Sequence, residues 1–200
     1  MIRVIGILMI LSVSAFAGIV YRAPQPVESA RFMGTDGGPV VEFNLTALET
    51  IEGTVDGYGN GVTFRVPGGG FGSEVGTPDV PCIRRMVQIP NNGDISIEII
   101  STETSVLGNY NVLPTQPFMD RNGNVSPLKV NDEVYSTSSS YPSSPVVIES
   151  VSILRDIRVA WVRYSPVSVN PVTGETTITT NVSFKLVSGS SQGENELLRT

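Results

Sequence analysis

The clearest pattern of apolar and polar positions lies in the last third of the chain. Val146–Leu154 and Ile157–Tyr164 are rich in β-branched and aromatic residues and are separated by Arg155-Asp156. Such composition, with apolar and polar residues alternating at a period of two, predicts β-strands. In the second run, the two predicted faces are Ile157, Val159, Trp161 and Arg163 on one side, and Arg158, Ala160, Val162 and Tyr164 on the other. These two strands are the predicted centre of the domain.

Shorter alternating runs predict further strands, at residues 40–45, 48–55, 62–66, 84–89, 95–101, 102–113 and 176–187. The first two are predicted to form a hairpin or meander. Asn91-Asn92-Gly93-Asp94 lies between two apolar runs, and an Asn-Gly pair in that position is a strong hairpin signal. No segment carries a helical period of 3.6 residues. The predicted fold is therefore all-β, an antiparallel β-sandwich with one long polar loop.

Three segments lack a strand pattern. Residues 18–39 predict an extended N-terminal arm. The glycine tract at residues 67–73 predicts a flexible surface loop, because a phosphate-binding loop needs a Lys-Ser/Thr pair or a following helix, and neither follows here. Residues 115–144 form the long polar loop, and loops of this length are usually functional or disordered. Within it, the sequence Asp120-Arg121-Asn122-Gly123-Asn124 predicts a turn, since it lacks the alternating acidic residues of a calcium loop.

The N-terminus predicts export. Met1-Ile2-Arg3 precedes an apolar run, and Ser14-Ala15-Phe16-Ala17 has the small residues that signal peptidase recognises. A signal peptide over residues 1–17, cut after Ala17, is predicted. The apolar run is shorter than the roughly 20 residues of a membrane-spanning helix, so no membrane span is expected after cleavage.

The composition excludes several chemistries. The chain has no histidine, which removes Ser-His-Asp and Cys-His arrangements and most zinc sites. Its single cysteine, Cys82, cannot form an internal disulfide and is predicted to be a small apolar side chain at the start of a strand. With a net charge of −6 and no basic stripe, nucleic-acid binding is not expected. No cofactor and no metal site are expected.

Three features, in their order, resemble the N-terminal propeptide of gingipain-type cysteine peptidases, which are secreted bacterial zymogens. The first is the sequence GTPDVP, followed by a strand that ends at Ile89-Pro90. The second is a strand pair closing on residues 110–114, before a long loop that ends at Tyr141-Pro142. The third is the sequence RDIRVAWVRYSPVSVNPVTGETTITTNVSFKLV. The resemblance covers about residues 75–187, and Val169 replaces the aromatic residue that usually precedes Asn-Pro in the third feature.

The resemblance implies a non-catalytic region of a cysteine endopeptidase precursor that keeps the zymogen inactive and assists its folding. It implies one partner, the cognate peptidase domain, in cis and downstream. A basic residue on a loop of such a propeptide enters the specificity pocket of the peptidase. Carried over to residues 115–144, the candidates are Arg121 and Lys129, and the alternative is that both are solvated loop cations. Arg199 is a candidate processing site.

The predicted organisation is a signal peptide (1–17), an N-terminal arm and first strands (18–74), a propeptide-like core (75–187) and a polar linker to a downstream catalytic domain (188–200). Two other functions stay open at this point. One is a structural or adhesive β-sandwich of a cell-surface protein. The other is an enzyme in its own right, which the lack of a nucleophile–base pair disfavours.

Overall fold

The computed structural model describes residues 17–35, 38–72, 74–124, 126–127 and 129–197. Within them the regular secondary structure is strand except for a single short helix, which confirms the predicted all-β class. The elements are β1 (Ala17–Arg22), β2 (Ala30–Thr35), β3 (Gly38–Asn44), β4 (Ala47–Val55), β5 (Gly59–Arg65), β6 (Gly70–Phe71), β7 (Pro81–Gln88), β8 (Ile95–Asn109), α1 (Asp132–Ser136), β9 (Val146–Leu154), β10 (Ile157–Tyr164), β11 (Val167–Val169) and β12 (Glu175–Ser188).

The strands of the described residues form three antiparallel sheets. One sheet has the order β1-β4-β5, and a second has the order β6-β7-β10-β9. The third is built on β12, which pairs with β8 along one side and with β11 and β3 along the other, with β2 beyond β3. The sheets therefore combine strands that are far apart in sequence.

The predicted central pair is confirmed as the β9–β10 hairpin. Its turn is Arg155-Asp156, and Arg155 takes a left-handed φ of 59° there. Alternation in β10 also holds, since Arg158, Ala160, Val162 and Tyr164 are all fully buried. This face of β10 is packed against the main core.

Aromatic stacking joins the second and third sheets. The Phe43 ring of β3 stacks on Tyr164 of β10 at a centroid distance of 5.1 Å and on Phe184 of β12 at 5.8 Å. The Tyr164 hydroxyl donates to the Thr179 carbonyl, and burial raises the pKa of Tyr164. Because aromatic side chains bury large areas, this cluster fixes how the two sheets face each other.

Two predicted strand pairings are wrong. β3 and β4 follow one another with only two residues between them, but β3 pairs with β2 and β12 while β4 pairs with β1 and β5. Likewise β7 pairs with β6 and β10, whereas β8 pairs with β12, so Asn91–Asp94 is not the turn of a hairpin. In both places the short connection crosses from one sheet to another, which a local turn signal does not distinguish from a hairpin.

The segments predicted as an arm and a glycine loop are both part of the sheets. Residues 18–39 contain β1 and β2, which pair with β4 and β3. In the glycine tract, Gly70 and Phe71 pair with the start of β7. A Cβ at Gly72 would lie 2.9 Å from Cys82 Cβ, so the small residue permits the close approach. Arg163 Nη1 holds this segment by donating to the Gly72 carbonyl at 2.6 Å.

Residues 189–197, the tail segment, pack against the connection between β7 and β8. Arg158, fully buried, donates to three main-chain carbonyls: Pro90 at 3.0 Å, Gly93 at 2.8 Å and Glu194 at 2.6 and 3.0 Å. Buried charges are normally paired or fully hydrogen-bonded, and these bonds use the planar fork of the guanidinium. Arg158 thus connects the centre of the sandwich to the tail segment.

Further bonds hold the tail segment in place. The Gly93 and Gly193 amides donate to the Glu196 carboxylate at 2.8 and 2.9 Å, and these bonds, that of Gly193 first, lower the pKa of Glu196. The Leu197 amide donates to the Asn91 carbonyl at 2.7 Å. The residues predicted as a linker therefore lie on the sandwich as far as Leu197.

Within the described ranges, the single helix α1 lacks the length and apolar character needed to span a bilayer. In the same residues, no group of three or more His, Cys, Asp or Glu side chains is placed to hold a metal ion.

Candidate functional site

The long loop at residues 115–144 is anchored at both ends on one short segment, Gly76-Thr77. At the start of the loop, the Thr115 amide donates to the Thr77 carbonyl at 2.8 Å, and the Gly76 amide donates to the Thr115 carbonyl at 3.0 Å. Towards its end, the Asn131 amide donates to the Gly76 carbonyl at 3.0 Å. The Tyr141 hydroxyl oxygen lies 3.0 Å from the hydroxyl oxygen of Thr77. The described residues between 116 and 130 therefore belong to a loop that leaves the sandwich and returns to it at the same short segment.

Gly76 is the tightest point of this anchor. Its φ is +87°, and a Cβ there would lie 2.2 Å from the Lys129 carbonyl oxygen. Glycine adopts a left-handed φ readily and leaves room for the close approach. This position therefore requires glycine for two separate reasons.

The predicted turn at residues 120–124 is confirmed. The Asp120 carboxylate accepts hydrogen bonds from the Asn122 and Asn124 amides, both at 2.8 Å, and from Asn124 Nδ2 at 3.1 Å. The Asp120 amide donates to the Asn124 carbonyl at 2.8 Å, and Gly123 takes a φ of +84°. The turn thus holds Arg121 in a defined backbone geometry.

Exposed apolar side chains lie next to Arg121. Phe118 and Met119 are 72% and 67% exposed, and Phe71 of β6 is 51% exposed. The rings of Phe71 and Phe118 meet edge to face with their centroids 6.1 Å apart. Grouped exposed aromatic residues are a feature of interaction sites. This part of the loop therefore combines an apolar surface with a cation, Arg121, that forms no ion pair within the described residues.

Lys129 occupies a different part of the loop. It is exposed, close to the base, where its carbonyl oxygen faces Gly76. Two residues later, Asn131 caps α1 by accepting from the Val134 amide at 3.2 Å. Of the two predicted candidates, Arg121 lies on the turn and Lys129 beside the anchor.

Of the two predicted processing sites, the structure describes only Ala17. Ala17 is the first residue of β1. Arg199 lies outside the described residues. The Cys82 thiol is fully buried and lies 3.3 Å from the Phe71 carbonyl oxygen. Burial raises the pKa of this thiol, and Arg84 Nη1 lies 2.9 Å from its sulfur. The predicted position at the start of a strand is confirmed, whereas the surroundings of the sulfur are partly polar.

A pH titration is expected to loosen the turn at residues 120–124 in acid. Hydrogen bonds, first of all from the Asn124 amide, lower the pKa of Asp120 below its ordinary value of 3.8. A carboxyl whose folded pKa is lowered contributes stability that is present above 3.8 and is lost as the pH falls through the folded pKa. The amide NMR signals of Asn122 and Asn124 should shift together below pH 3.8. In Asp120→Asn they should not titrate, and a titration that persists in this variant would contradict the assignment.

The loop and the tail segment lie at opposite ends of the sandwich. Tyr164, at the end of β10, adjoins the loop end, where the Ser165 amide donates to the Pro145 carbonyl at 2.8 Å. Arg158, near the start of β10, holds the tail segment. At about 3.3 Å per residue, these two positions on β10 are roughly 20 Å apart.

Several known proteins are similar to this chain in amino-acid sequence. Gingipain R1 of Porphyromonas gingivalis is 27% identical over 126 residues, which are 62% of this chain and 13% of that protein. Lys-gingipain HG66 of the same organism is 24% identical over 163 residues, 78% of this chain and 9% of that protein. The chain thus spans a small part of the length of these relatives.

Two solved structures share the fold. A complex of the pro- and mature domains of Porphyromonas gingivalis RgpB matches with a TM-score of 0.77 at 21% identity, over 86% of this chain and 91% of the other. A structure on the zymogenic latency of gingipain K from the same organism matches with a TM-score of 0.71 at 18% identity, over 88% and 100%. The family model Propeptide_C25 matches residues 35–199. The chain therefore belongs to the Propeptide_C25 family, the propeptides of gingipain-type cysteine peptidase precursors, and is a non-catalytic region.

Proposed function

We propose that this chain holds an exported gingipain-type cysteine peptidase inactive by placing Arg121 in its active site, and that it assists folding of the same peptidase. The observation that carries the proposal is the geometry around Arg121. It lies on a hydrogen-bonded turn, next to exposed Phe118 and Met119, at the tip of a loop anchored at both ends. Such a loop on a rigid scaffold is suited to enter a cleft.

A preformed turn favours tight binding. Ordering a flexible loop on binding costs about 0.5–1.5 kcal/mol for each immobilised side chain, and the Asp120 hydrogen bonds reduce that cost. Within the described residues, Arg121 takes part in no ion pair. Its guanidinium is therefore available to a carboxylate in a specificity pocket. Lys129 is the second candidate, because it is exposed in the same loop.

The proposed inhibition in cis requires the chain beyond the tail segment to reach the other end of the sandwich. The downstream peptidase would follow the tail segment, about 20 Å along β10 from the loop end. Residues after Leu197 would then cross the sandwich to bring the active site to the loop. Because the two parts belong to one chain, the effective concentration is high until the connection is cut. Arg199 lies beyond the docked tail segment and is the proposed position of that cut.

Export is proposed from the sequence of residues 1–17. Cleavage after Ala17 would leave the rest of β1, from Gly18, paired with β4. The propeptide would then reach the cell surface or the medium together with its peptidase. The adhesive alternative has less support, since the family match is to a propeptide.

The test is inhibition of an Arg- or Lys-specific cysteine peptidase of the gingipain type. The chain without residues 1–17 should inhibit it, and Arg121→Ala with Lys129→Ala should weaken inhibition about 100-fold, which corresponds to about 2.7 kcal/mol. The single variants Arg121→Ala and Lys129→Ala show which of the two residues is responsible for the loss of inhibition. The matched control is Arg22→Ala with Arg31→Ala, which removes two exposed cations on β1 and β2. Equal inhibition by both double variants would show that the loop assignment is wrong.

A further inference from the structure

A small pocket opens beside the start of the loop. It has a volume of about 270 Å³ and lies between the ends of β4 and β5 and the first residues of the loop. Its walls are largely apolar: Val55, Leu113, Pro114, Pro117, Phe71 and Phe118. We call it the rim pocket. Its size suits a single side chain rather than a drug-sized ligand, whose sites measure about 300–1,000 Å³.

Two buried polar side chains line the rim pocket and have atoms without hydrogen-bond partners among the described residues. Asp79 is 6% exposed, and its Oδ2 accepts from Arg65 Nη2 at 3.0 Å, while Oδ1 has no partner. Thr115 is 3% exposed, and its Oγ1 has no partner. A buried polar atom left unpaired costs about 1–3 kcal/mol. Such atoms in a native protein therefore call for a physical explanation.

The charges around the rim pocket limit what it can bind. Asp79 is already neutralised by the Arg65 guanidinium, which also lies 4.8 Å from the centroid of the Phe71 ring. A second cation would gain little from this neutral pair and would be repelled by Arg65. The free acceptor at Asp79 instead suits a neutral N–H or O–H donor. The apolar walls suit a group that is apolar over the rest of its surface.

Tyrosine and tryptophan side chains combine these two properties, since each has a large apolar body and one hydrogen-bond donor. Both are also enriched among the residues that dominate binding energy at protein interfaces. We propose that the rim pocket binds a tyrosine or tryptophan side chain of the partner peptidase, whose O–H or N–H pairs with Asp79 or Thr115 when their unpaired oxygens, which are closed to solvent in the free chain, turn towards it. The identity of the partner rests on the proposed function, whereas the chemistry of the rim pocket does not.

The position of the rim pocket fits this role. Phe118 forms part of its wall and lies three residues before Arg121. A peptidase that binds Arg121 in its active site would bring its surface over Phe118 and Phe71. An aromatic anchor in the rim pocket would then fix the orientation of the loop while Arg121 confers the specificity.

The test uses small probes on the isolated chain, observed by NMR titration. p-Cresol should shift the signals of Phe71, Phe118 and Thr115 and bind at least about fivefold more tightly than toluene, the effect of one hydrogen bond of about 1 kcal/mol. Ethylamine should bind more weakly than p-cresol. If toluene binds as well as p-cresol, if ethylamine binds better, or if the shifts lie elsewhere, the proposal is overturned.

A matched pair of variants locates the hydrogen bond. Thr115→Val keeps the side-chain shape, removes the unpartnered hydroxyl and should reduce the preference for p-cresol over toluene. Thr54→Val also changes a lining threonine, but that hydroxyl already donates to Asn60 Oδ1 at 2.6 Å, so the preference should be unchanged. A preference equally retained in both variants would remove Thr115 from the proposed site. Should Thr115→Val fail to fold, the comparison of p-cresol with toluene on the parent chain decides alone.

The probe titration is independent of inhibition. Binding of p-cresol without any inhibition of a peptidase would leave the rim pocket standing and overturn the proposed function. Inhibition without a preference for p-cresol over toluene would support the proposed function and overturn the proposal for the rim pocket.

Discussion

Replacing Arg158 with leucine is expected to lower the free energy of unfolding by about 3 kcal/mol or more, because three main-chain carbonyls lose a charged donor, one of them in a buried bond, and a hydrogen bond to a charged group contributes about 1.5–3 kcal/mol. Those carbonyls belong to Pro90, Gly93 and Glu194. For a domain of this size, such a loss corresponds to a decrease in Tm of roughly 10 °C. Chemical denaturation followed by tryptophan fluorescence measures it, since Trp161 lies on the same strand.

The loss of the Arg158 hydrogen bonds should also make the tail segment more accessible to proteases. A Glu-specific protease should cut at Glu194 and Glu196 faster in Arg158→Leu than in the parent chain. The matched control is Arg31→Leu, which removes an exposed arginine of β2 and should change stability by less than about 0.5 kcal/mol. Arg158→Lys should be intermediate, because an ammonium group lacks the planar fork that meets three carbonyls. Parent-like stability and tail protection in Arg158→Leu would contradict the structural role given to Arg158.

Replacing Gly76 with alanine is expected to destabilise the chain by about 3 kcal/mol or more, the range of severe backbone and packing defects. Part of the loss is the left-handed φ of +87°, which costs an L-residue about 1–2 kcal/mol. The remainder comes from the Cβ, which would lie 2.2 Å from the Lys129 carbonyl oxygen. Both ends of the loop are bonded at this point, so inhibition of the peptidase should fall together with stability.

Gly57→Ala separates the two causes. Gly57 has a φ of +80°, close to that of Gly76, but a Cβ there meets nothing within 4 Å. The free energy of unfolding of Gly57→Ala should therefore fall only by the backbone contribution, about 1–2 kcal/mol. This variant should inhibit the peptidase as well as the parent chain does. The measurement is denaturant unfolding of both variants beside the inhibition assay. If the two variants were equally stable, the contact between Gly76 and Lys129 would not matter.

Local pattern was enough to predict part of the fold. The β9–β10 hairpin was predicted because alternation, β-branched residues and a two-residue turn all lie within one stretch. The turn at residues 120–124 was also predicted, since Asp120 bonds to groups two and four residues away. In each case the interactions that form the element are close in sequence.

The wrong pairings have the opposite cause. Gly93 has the left-handed φ typical of a turn, +82°, so the Asn-Gly signal at residues 91–94 correctly marks a change of direction. The direction itself depends on Arg158 and the tail segment, which follow more than 60 residues later. Similarly, β3 joins β12 rather than β4 because Phe43 packs against Phe184 and Tyr164.

The candidate site was predicted only in outline. The loop and its two cations were identified by resemblance, whereas its anchor on Gly76 and the Phe71 ring that meets Phe118 lie outside the loop, in an earlier part of the chain. One feature of the sequence pointed to a structural role for Arg158: it is a charged residue on the same strand face as Ala160, Val162 and Tyr164. Because that face is buried, its guanidinium had to find several acceptors. The acceptors themselves could not be named from sequence spacing.

The most direct measurement of the central claim compares the affinity of the chain for a gingipain-type cysteine peptidase in two states. In one the active site is free, and in the other its catalytic cysteine is covalently blocked by an arginine-derived inhibitor that fills the specificity pocket. If Arg121 enters that pocket, blocking it should weaken binding about 100-fold, or about 2.7 kcal/mol. Equal affinity for the free and the blocked peptidase would contradict the account, since the chain would then bind outside the active site.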